Sequence, residues 1–299
     1  MNTLTVSGLY KSFGEKQVLK GLELSVPEHS IFGFVGKNGA GKTTAMRSIL
    51  GLLKADAGEI TVVGERVTFG QTATNRYVGY LPDVPEFYPF MTPREYLRLC
   101  GECLGMNRAL IQEKSRELLE LVGLSEENRR IKGFSRGMKQ RLGIAQALLG
   151  SPKLLICDEP TSALDPIGRK EILDILRSVK DHTTVLFSTH ILSDVERICT
   201  DVAFLHDGTV SMQGSISQLK ALRHREEFIV ETADVASYQS LISHFGSAQP
   251  IQKDTLCFSG DTALMRSVMS YITEQALAVN RIERMEPSLE NLFMEVTAK

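Results

Sequence analysis

The run Ile31 to Thr44, IFGFVGKNGAGKTT, holds the spacing G-x-x-x-x-G-K-[ST] at Gly36, Gly41, Lys42 and Thr43. Residues of these types in this order cradle a polyphosphate. Glycines reach backbone angles closed to other residues, so successive amides can turn inward on an anion, and the helix that follows adds its positive N-terminal end. Lys42 suits the β- and γ-phosphates and Thr43 suits Mg2+. A second cluster is KLLICDE, Lys153 to Glu159, an apolar run that ends in two carboxylates. Asp158 fits the water shell of Mg2+, and Glu159 fits a group that orients or deprotonates an attacking water. A third, FSRGMKQR from Phe134 to Arg141, sets Ser135 and Gly137 at a helix start. There a hydroxyl and free amides either face an anion or simply cap the helix. His190 follows the apolar run Thr184 to Ser188, and on its own a lone histidine is as readily structural or solvated as functional.

These groups need elements to hold them. Ile31, Phe32, Phe34 and Val35 read as a buried strand entering the glycine loop, and Thr44 to Leu53 as the helix leaving it, closed by Gly51 and the Asp56-Ala57-Gly58 turn. Glu59 to Val63 is then a further strand. A strand ending in Asp158-Glu159 presents its acids at the ligand-binding edge of an α/β sheet, and neighbours on a strand face opposite ways, so the two need not share a role. Ahead of the glycine loop, Leu4 to Ser7 and Leu22 to Val26 read as short strands of a small antiparallel layer, broken by Gly8, Gly14, Gly21 and Pro27. Phe13, and less so Tyr10, lies on the intervening loop, open to stacking on an adenine or to packing in a core. Tyr77 to Thr92 (YVGYLPDVPEFYPFMT) reads as a loop whose aromatic rings need cover. Helical periodicity follows over Pro93 to Cys103, Arg108 to Val122 and Arg136 to Leu149, a helical block inserted into the α/β domain.

The 299 residues suffice for one large domain or two ordinary ones, and 42% hydrophobic content supports a proper core. With 34 basic and 36 acidic side chains and a net charge of −2, nothing in the balance calls for a nucleic-acid partner. No apolar run is long enough to span a bilayer and no signal segment follows Met1, so the sequence predicts a chain of the cytosol. Five irregularly spaced cysteines fit a reducing compartment. Cys100 and Cys103 form a CxxC without a second ligand pair and read as two half-buried helix thiols.

In this order and spacing the motifs make the chain, from about Leu4 to Ser215, resemble the nucleotide-binding subunit of ABC transporters. The resemblance implies a P-loop NTPase cassette: a RecA-like α/β core, an antiparallel β layer and an inserted helical subdomain, here about 86–152 within a domain 1–215. Gly36, Lys37, Asn38, Gly39, Ala40, Gly41, Lys42, Thr43 and Thr44 stand at its Walker A motif. Asp158 and Glu159 stand at Walker B, with Glu159 and His190 (the switch histidine) as the catalytic pair. Phe13 stands where that family stacks adenine, Ser135 and Gly137 fall in its signature and Asp165 in its D-loop. Asp83 occupies the Q-loop position, usually glutamine, where a carboxylate can still reach Mg2+ or its water, though with shorter reach than Gln or Glu. Arg136 and Met138 replace a signature glycine and glutamine, which resembles bacterial members of the ABC-2, mostly exporting, class. Beside a phosphate an arginine adds charge or points to solvent. The resemblance further implies ATP and Mg2+ as ligands and an ATPase coupled to transmembrane transport. Its partners would be a separate membrane permease and a second ATPase subunit, with two copies closing head to tail as a homodimer. The chain would sit peripherally on the inner face of the cell membrane. The alternative is a regulatory or assembly ATPase of the same type without a permease.

After Gly214 the pattern changes, and 216–299 read as an accessory α+β domain. Phe228 to Glu231, Pro250 to Gln252, Leu256 to Ser259 and Ala278 to Arg284 read as strands, with helices at Val235 to Phe245, Thr262 to Gln275 and Pro287 to Val296. The order β-α-β-β-α-β resembles a ferredoxin-like unit with one extra helix. The ending Glu286-Pro287-Ser288-Leu289-Glu290-Asn291-Leu292-Phe293 is similar to that of C-terminal extensions in ABC-2 type ATPases, which implies a role in holding or regulating a dimer.

Overall fold

A computed structural model describes residues 1–71, 73–221, 227–285 and 289–297. They form two compact units, one built on Met1–Ile216 and the other on Ser217–Glu295. In chain order the first comprises β1 (Asn2–Phe13), β2 (Lys16–Pro27), β3 (Ile31–Val35), α1 (Lys42–Ile49), β4 (Ala57–Val62), β5 (Glu65–Arg66) and β6 (Val78–Leu81). There follow α2 (Pro93–Cys103), α3 (Arg108–Leu121), α4 (Arg136–Leu148), β7 (Leu154–Cys157) and α5 (Pro166–Ser178). Then come β8 (Thr184–Thr189), α6 (Leu192–Ile198), β9 (Asp201–His206) and β10 (Thr209–Ser215); α7 (Ile216–Ala221) follows, its residues from Ser217 on counted with the second unit.

Two sheets share the core of the first unit. One is antiparallel, in the order β2-β1-β4-β5; the other has six strands, β10-β9-β3-β8-β7-β6, all parallel except for the antiparallel edge strand β10. Every residue of β3, β7 and β8 is buried, as expected for parallel strands covered on both faces. Leu4, Val6, Leu22 and Leu24 of the antiparallel layer meet Phe32 and Phe34 of β3 and Met46 and Ile49 of α1 in one apolar cluster. The helix that follows the glycine loop is therefore clamped between two sheets.

Three sequence expectations need correction. Gly8 and Gly21 do not end strands: β1 and β2 run through them, and the register shifts between Val6 and Leu9 where Gly8 adopts φ +55°. Phe13 accordingly closes β1 instead of lying on a loop. The segment from Tyr77 is not all loop, since Val78–Leu81 pairs in parallel with β7. Gly79 hid that strand, and the structure supplies the reason for it: a Cβ there would lie 2.2 Å from the carbonyl oxygen of Ala147 on α4. Gly143 of α4 is likewise close-packed, its Cβ position 2.5 Å from Leu81 Cδ1. Finally, Asp158 and Glu159 lie past the end of β7, so turn geometry and not the strand pleat separates them.

The second unit comprises β11 (Glu227–Thr232), α8 (Val235–His244), β12 (Ala248–Pro250), β13 (Thr255–Ser259), α9 (Thr262–Glu274), β14 (Val279–Met285) and α10 (Leu289–Thr297). Its antiparallel sheet has the order β12-β13-β11-β14. Phe228 and Phe258 stack with centroids 5.0 Å apart over Val230, Leu241, Leu256 and Val268. Residues 286–288 of the C-terminal motif lie outside the described residues. Because Leu241 is fully buried in this small core, Leu241→Ala is expected to destabilise the second unit by about 3 kcal/mol, read as a lower midpoint in chemical denaturation.

Candidate functional site

Sheet order brings the chemistry together. Strands β3, β8, β7 and β6 are consecutive neighbours, so the segments leaving their C-terminal ends lie side by side: the glycine loop, His190, the Asp158-Glu159 turn and Asp83. Together they line a cleft of about 510 Å3 with Asn38, Gly39, Gly41, Lys42, Thr43, Thr44 and Ser162.

Gly41 is the N-cap of α1 with φ +110°, and a Cβ on it would come within 2.9 Å of Leu19 Cδ2. At Gly36 a Cβ would lie 2.8 Å from the Leu205 carbonyl oxygen, so the loop's shape requires glycine at both places. Lys42 is 6% exposed. Its ammonium donates to the carbonyls of Gly36 at 2.7 Å and Lys37 at 3.4 Å, and lies 3.0 Å from Glu159 Oε1. The last contact is one of opposite charges without hydrogen-bond alignment. The lysine is thus folded back into the loop with an acid as counter-ion, in the place where an anion would sit.

The two acids have distinct surroundings. Asp158, 3% exposed, accepts from Thr43 Oγ1 at 2.8 Å and from Ser188 Oγ at 2.7 Å. Ser188 Oγ in turn accepts from the Glu159 amide at 2.9 Å. Glu159 has φ +49°, an uncommon left-handed conformation for this residue, and His190 Nδ1 lies 2.9 Å from its Oε2. The Nδ1-protonated tautomer of His190 donates to that oxygen. Behind the acids, burial and then the Asp158 charge push the Tyr80 hydroxyl up to about 12, and the same two causes raise the Cys157 thiol, so both stay neutral. Ser188 is a site residue without a sequence motif of its own; the available signal is a hydroxyl residue closing the apolar run Val185 to Phe187 near the C-terminal end of β8.

Thr43, Asp158 and Asp83 form a donor set of hard oxygens facing one cleft, which fits a small divalent cation. Asp83 is already engaged. Its Oδ1 accepts from Arg136 Nη2 at 3.1 Å and its backbone carbonyl from Gln140 Nε2 at 2.7 Å. Arg136 therefore neither lies free in solvent nor stands apart as added charge: it reaches back to the Q-loop position of its own chain, so two departures from the family pattern satisfy each other.

Ser135, Gly137, Asp165 and Phe13 do not line the cleft. Ser135 caps α4, its Oγ accepting from the Met138 amide at 3.2 Å, and Asp165 caps α5, accepting from the Gly168 amide at 3.2 Å. Phe13 is 52% exposed, with the Lys11 ammonium 5.4 Å from its ring centroid.

The chain is similar to known proteins in sequence and fold. Residues 19–162 match the ABC transporter family. An uncharacterized ABC transporter ATP-binding protein, YxlF of Bacillus subtilis, is 38% identical over 98% of this chain and 99% of its own. The bacitracin transport ATP-binding protein BcrA of Bacillus licheniformis is 34% identical over 98% of this chain and 96% of its own. Among solved structures, an ATP-binding subunit of an ABC transporter superposes with a TM-score of 0.67 at 32% identity, over 74% of this chain and 92% of that one. The chain belongs to the ATP-binding subunits of ABC transporters, the cassette family that hydrolyses ATP.

Proposed function

We propose that this subunit uses Mg2+ with ATP to drive export through a permease carried on a separate chain, and that two copies close head to tail to do so. The observation that carries this reading is the division of the motif residues. Lys42, Thr43, Asp158, Glu159 and His190 share one cleft, while Ser135, Gly137 and Asp165 stand outside it at the starts of α4 and α5. A site split this way is completed by the Ser135 and Gly137 of a second copy. A relative named for Nod factor export, 33% identical over 100% of this chain, supports the export reading. Among the described residues no helix is long and apolar enough to cross a membrane; the permease is assigned to a separate chain and this subunit to the membrane's inner face. The nucleotide-binding domain is assigned to 1–215, with its helical subdomain at about 86–152. The domain 216–299 is assigned a ferredoxin-like topology and a part in holding the dimer.

In this reading the glycine-loop amides and Lys42 hold the polyphosphate, Phe13 stacks on the adenine, and Thr43, Asp158 and Asp83 hold Mg2+. The cation, when bound, neutralises phosphate charge. Glu159 turns a water toward the terminal phosphate and takes its proton, and His190 keeps that carboxylate in place. The 800 Å3 groove lined by Tyr80, Tyr88, Tyr96 and Leu99 receives a cytoplasmic segment of the permease. The test is oligomeric mass with and without Mg-ATP: nucleotide-driven dimers support the split site, and monomers at every concentration overturn it.

One further outcome follows from the Asp83–Arg136 pair, whose side chains are 47% and 41% exposed. Arg136→Gln frees the Asp83 carboxylate for Mg2+. Half-maximal nucleotide binding is then expected at about two- to fivefold lower Mg2+, the range of an exposed ion pair, in a fluorescent-ADP titration. Asp83→Asn should shift it the other way.

A further inference from the structure

Away from the nucleotide cleft, α2 and α3 border a cavity of about 540 Å3. Its rim carries exposed guanidinium groups from both helices, Arg94 and Arg98 on α2, Arg108 and Arg116 on α3. The spacing i,i+4 turns the α2 pair to one helix face, and on α3 Arg108 and Arg116, eight positions apart, both border the cavity. Ile111, Ser115 and Leu119, all buried, form the floor.

Two observations set this cavity apart from an ordinary charged helix surface. The first is an imbalance of charge. Glu113 is the single carboxylate in the lining, Arg94 donates to the Ser125 carbonyl at 2.7 Å, and Arg98 is paired with Glu102 at 3.3 Å. Among the described residues Arg108 and Arg116 have no such partner. The second is Ser115. Only 7% exposed, its hydroxyl makes no hydrogen bond, not even the usual one back to its own helix. A buried hydroxyl is ordinarily paired, and a rotation about χ1 redirects it.

We infer that this cavity binds a phosphate monoester, with Arg108 and Arg116 as forked donors to the phosphate oxygens, Ser115 as the interior hydrogen-bond partner, and Ile111 and Leu119 against the carbon skeleton. Each guanidinium offers two parallel donors to an oxyanion, and two such forks match the three terminal oxygens and double charge of a phosphate monoester more fully than the two oxygens and single charge of a carboxylate. The ester comes either from a soluble metabolite or from a lipid headgroup. The site rests on the α2 and α3 geometry alone and is independent of the proposed dimer and permease.

The test uses the full chain saturated with Mg-ADP, so that the glycine loop is filled. Glycerol 3-phosphate is titrated calorimetrically, and flotation is measured with phosphatidic acid vesicles against phosphatidylcholine vesicles. Saturable binding of the soluble ester, or flotation on phosphatidic acid alone, is expected, and the arm that responds identifies the source. Arg108→Gln with Arg116→Gln should weaken binding at least about tenfold, the scale of losing charge-assisted hydrogen bonds. Ser115→Ala should weaken it severalfold while raising the thermal midpoint, because an unpaired interior hydroxyl is removed; a merely structural serine would not change binding. No response in either arm, or equal binding by the double variant, overturns the site.

Discussion

Glu159→Gln is expected to retain ATP and to lower turnover by about 10²- to 10⁴-fold, the span lost when a positioned general base is removed. The amide keeps the side chain's shape and can still meet His190, but it cannot take a proton from water. Binding survives for a reason visible in the cleft. The ammonium of Lys42 lies 3.0 Å from Glu159 Oε1 and has to exchange that carboxylate for phosphate. With glutamine the competition for Lys42 disappears, so ATP affinity should hold or rise while hydrolysis falls. Single-turnover hydrolysis and fluorescent-nucleotide binding, measured on the same preparation, check both halves. Turnover near that of the unaltered chain would remove Glu159 from its role.

Lys42→Ala has the opposite signature. A buried ammonium that makes charge-assisted bonds to phosphate contributes roughly 2–3 kcal/mol, so nucleotide affinity should fall about 30- to 150-fold. The loss is compounded by what stays behind: Glu159, with a side chain 14% exposed, keeps its charge without its counter-ion and faces the incoming phosphates. The double variant with Glu159→Gln should therefore bind more tightly than Lys42→Ala alone. Equal affinities in a double-mutant cycle would show that the pair in the cleft has no part in nucleotide affinity.

Much of the cleft is readable in the linear chain because its chemistry is local. Gly36 to Thr44 form one loop and helix start, and Asp158-Glu159 end one apolar run. The inserted helices are equally legible: α2 spans Pro93–Cys103, with Thr92 and Glu95 completing a capping box. What stays hidden depends on partners distant in sequence. Asp83 and Arg136 are 53 positions apart, and no local pattern announces that they meet. The arginine cavity needs the faces of two helices to be brought together. Strand β6 looks like loop because Gly79 depresses strand propensity, and the contact that demands glycine lies on α4. Strand β9 carries an apolar run of only Val202 to Leu205 and becomes evident only beside β3.

The glycines that seat α4 on β6 have a mechanical meaning. With Gly79 against the Ala147 carbonyl and Gly143 against the Leu81 side chain, helix and strand approach more closely than a side chain at either glycine would allow. One runs to Asp83 and the other starts at Arg136. Close approach at these two glycines leaves the strand little room to shift on the helix. A shift of Asp83 is therefore expected to be felt at the start of α4, where Ser135 is the cap.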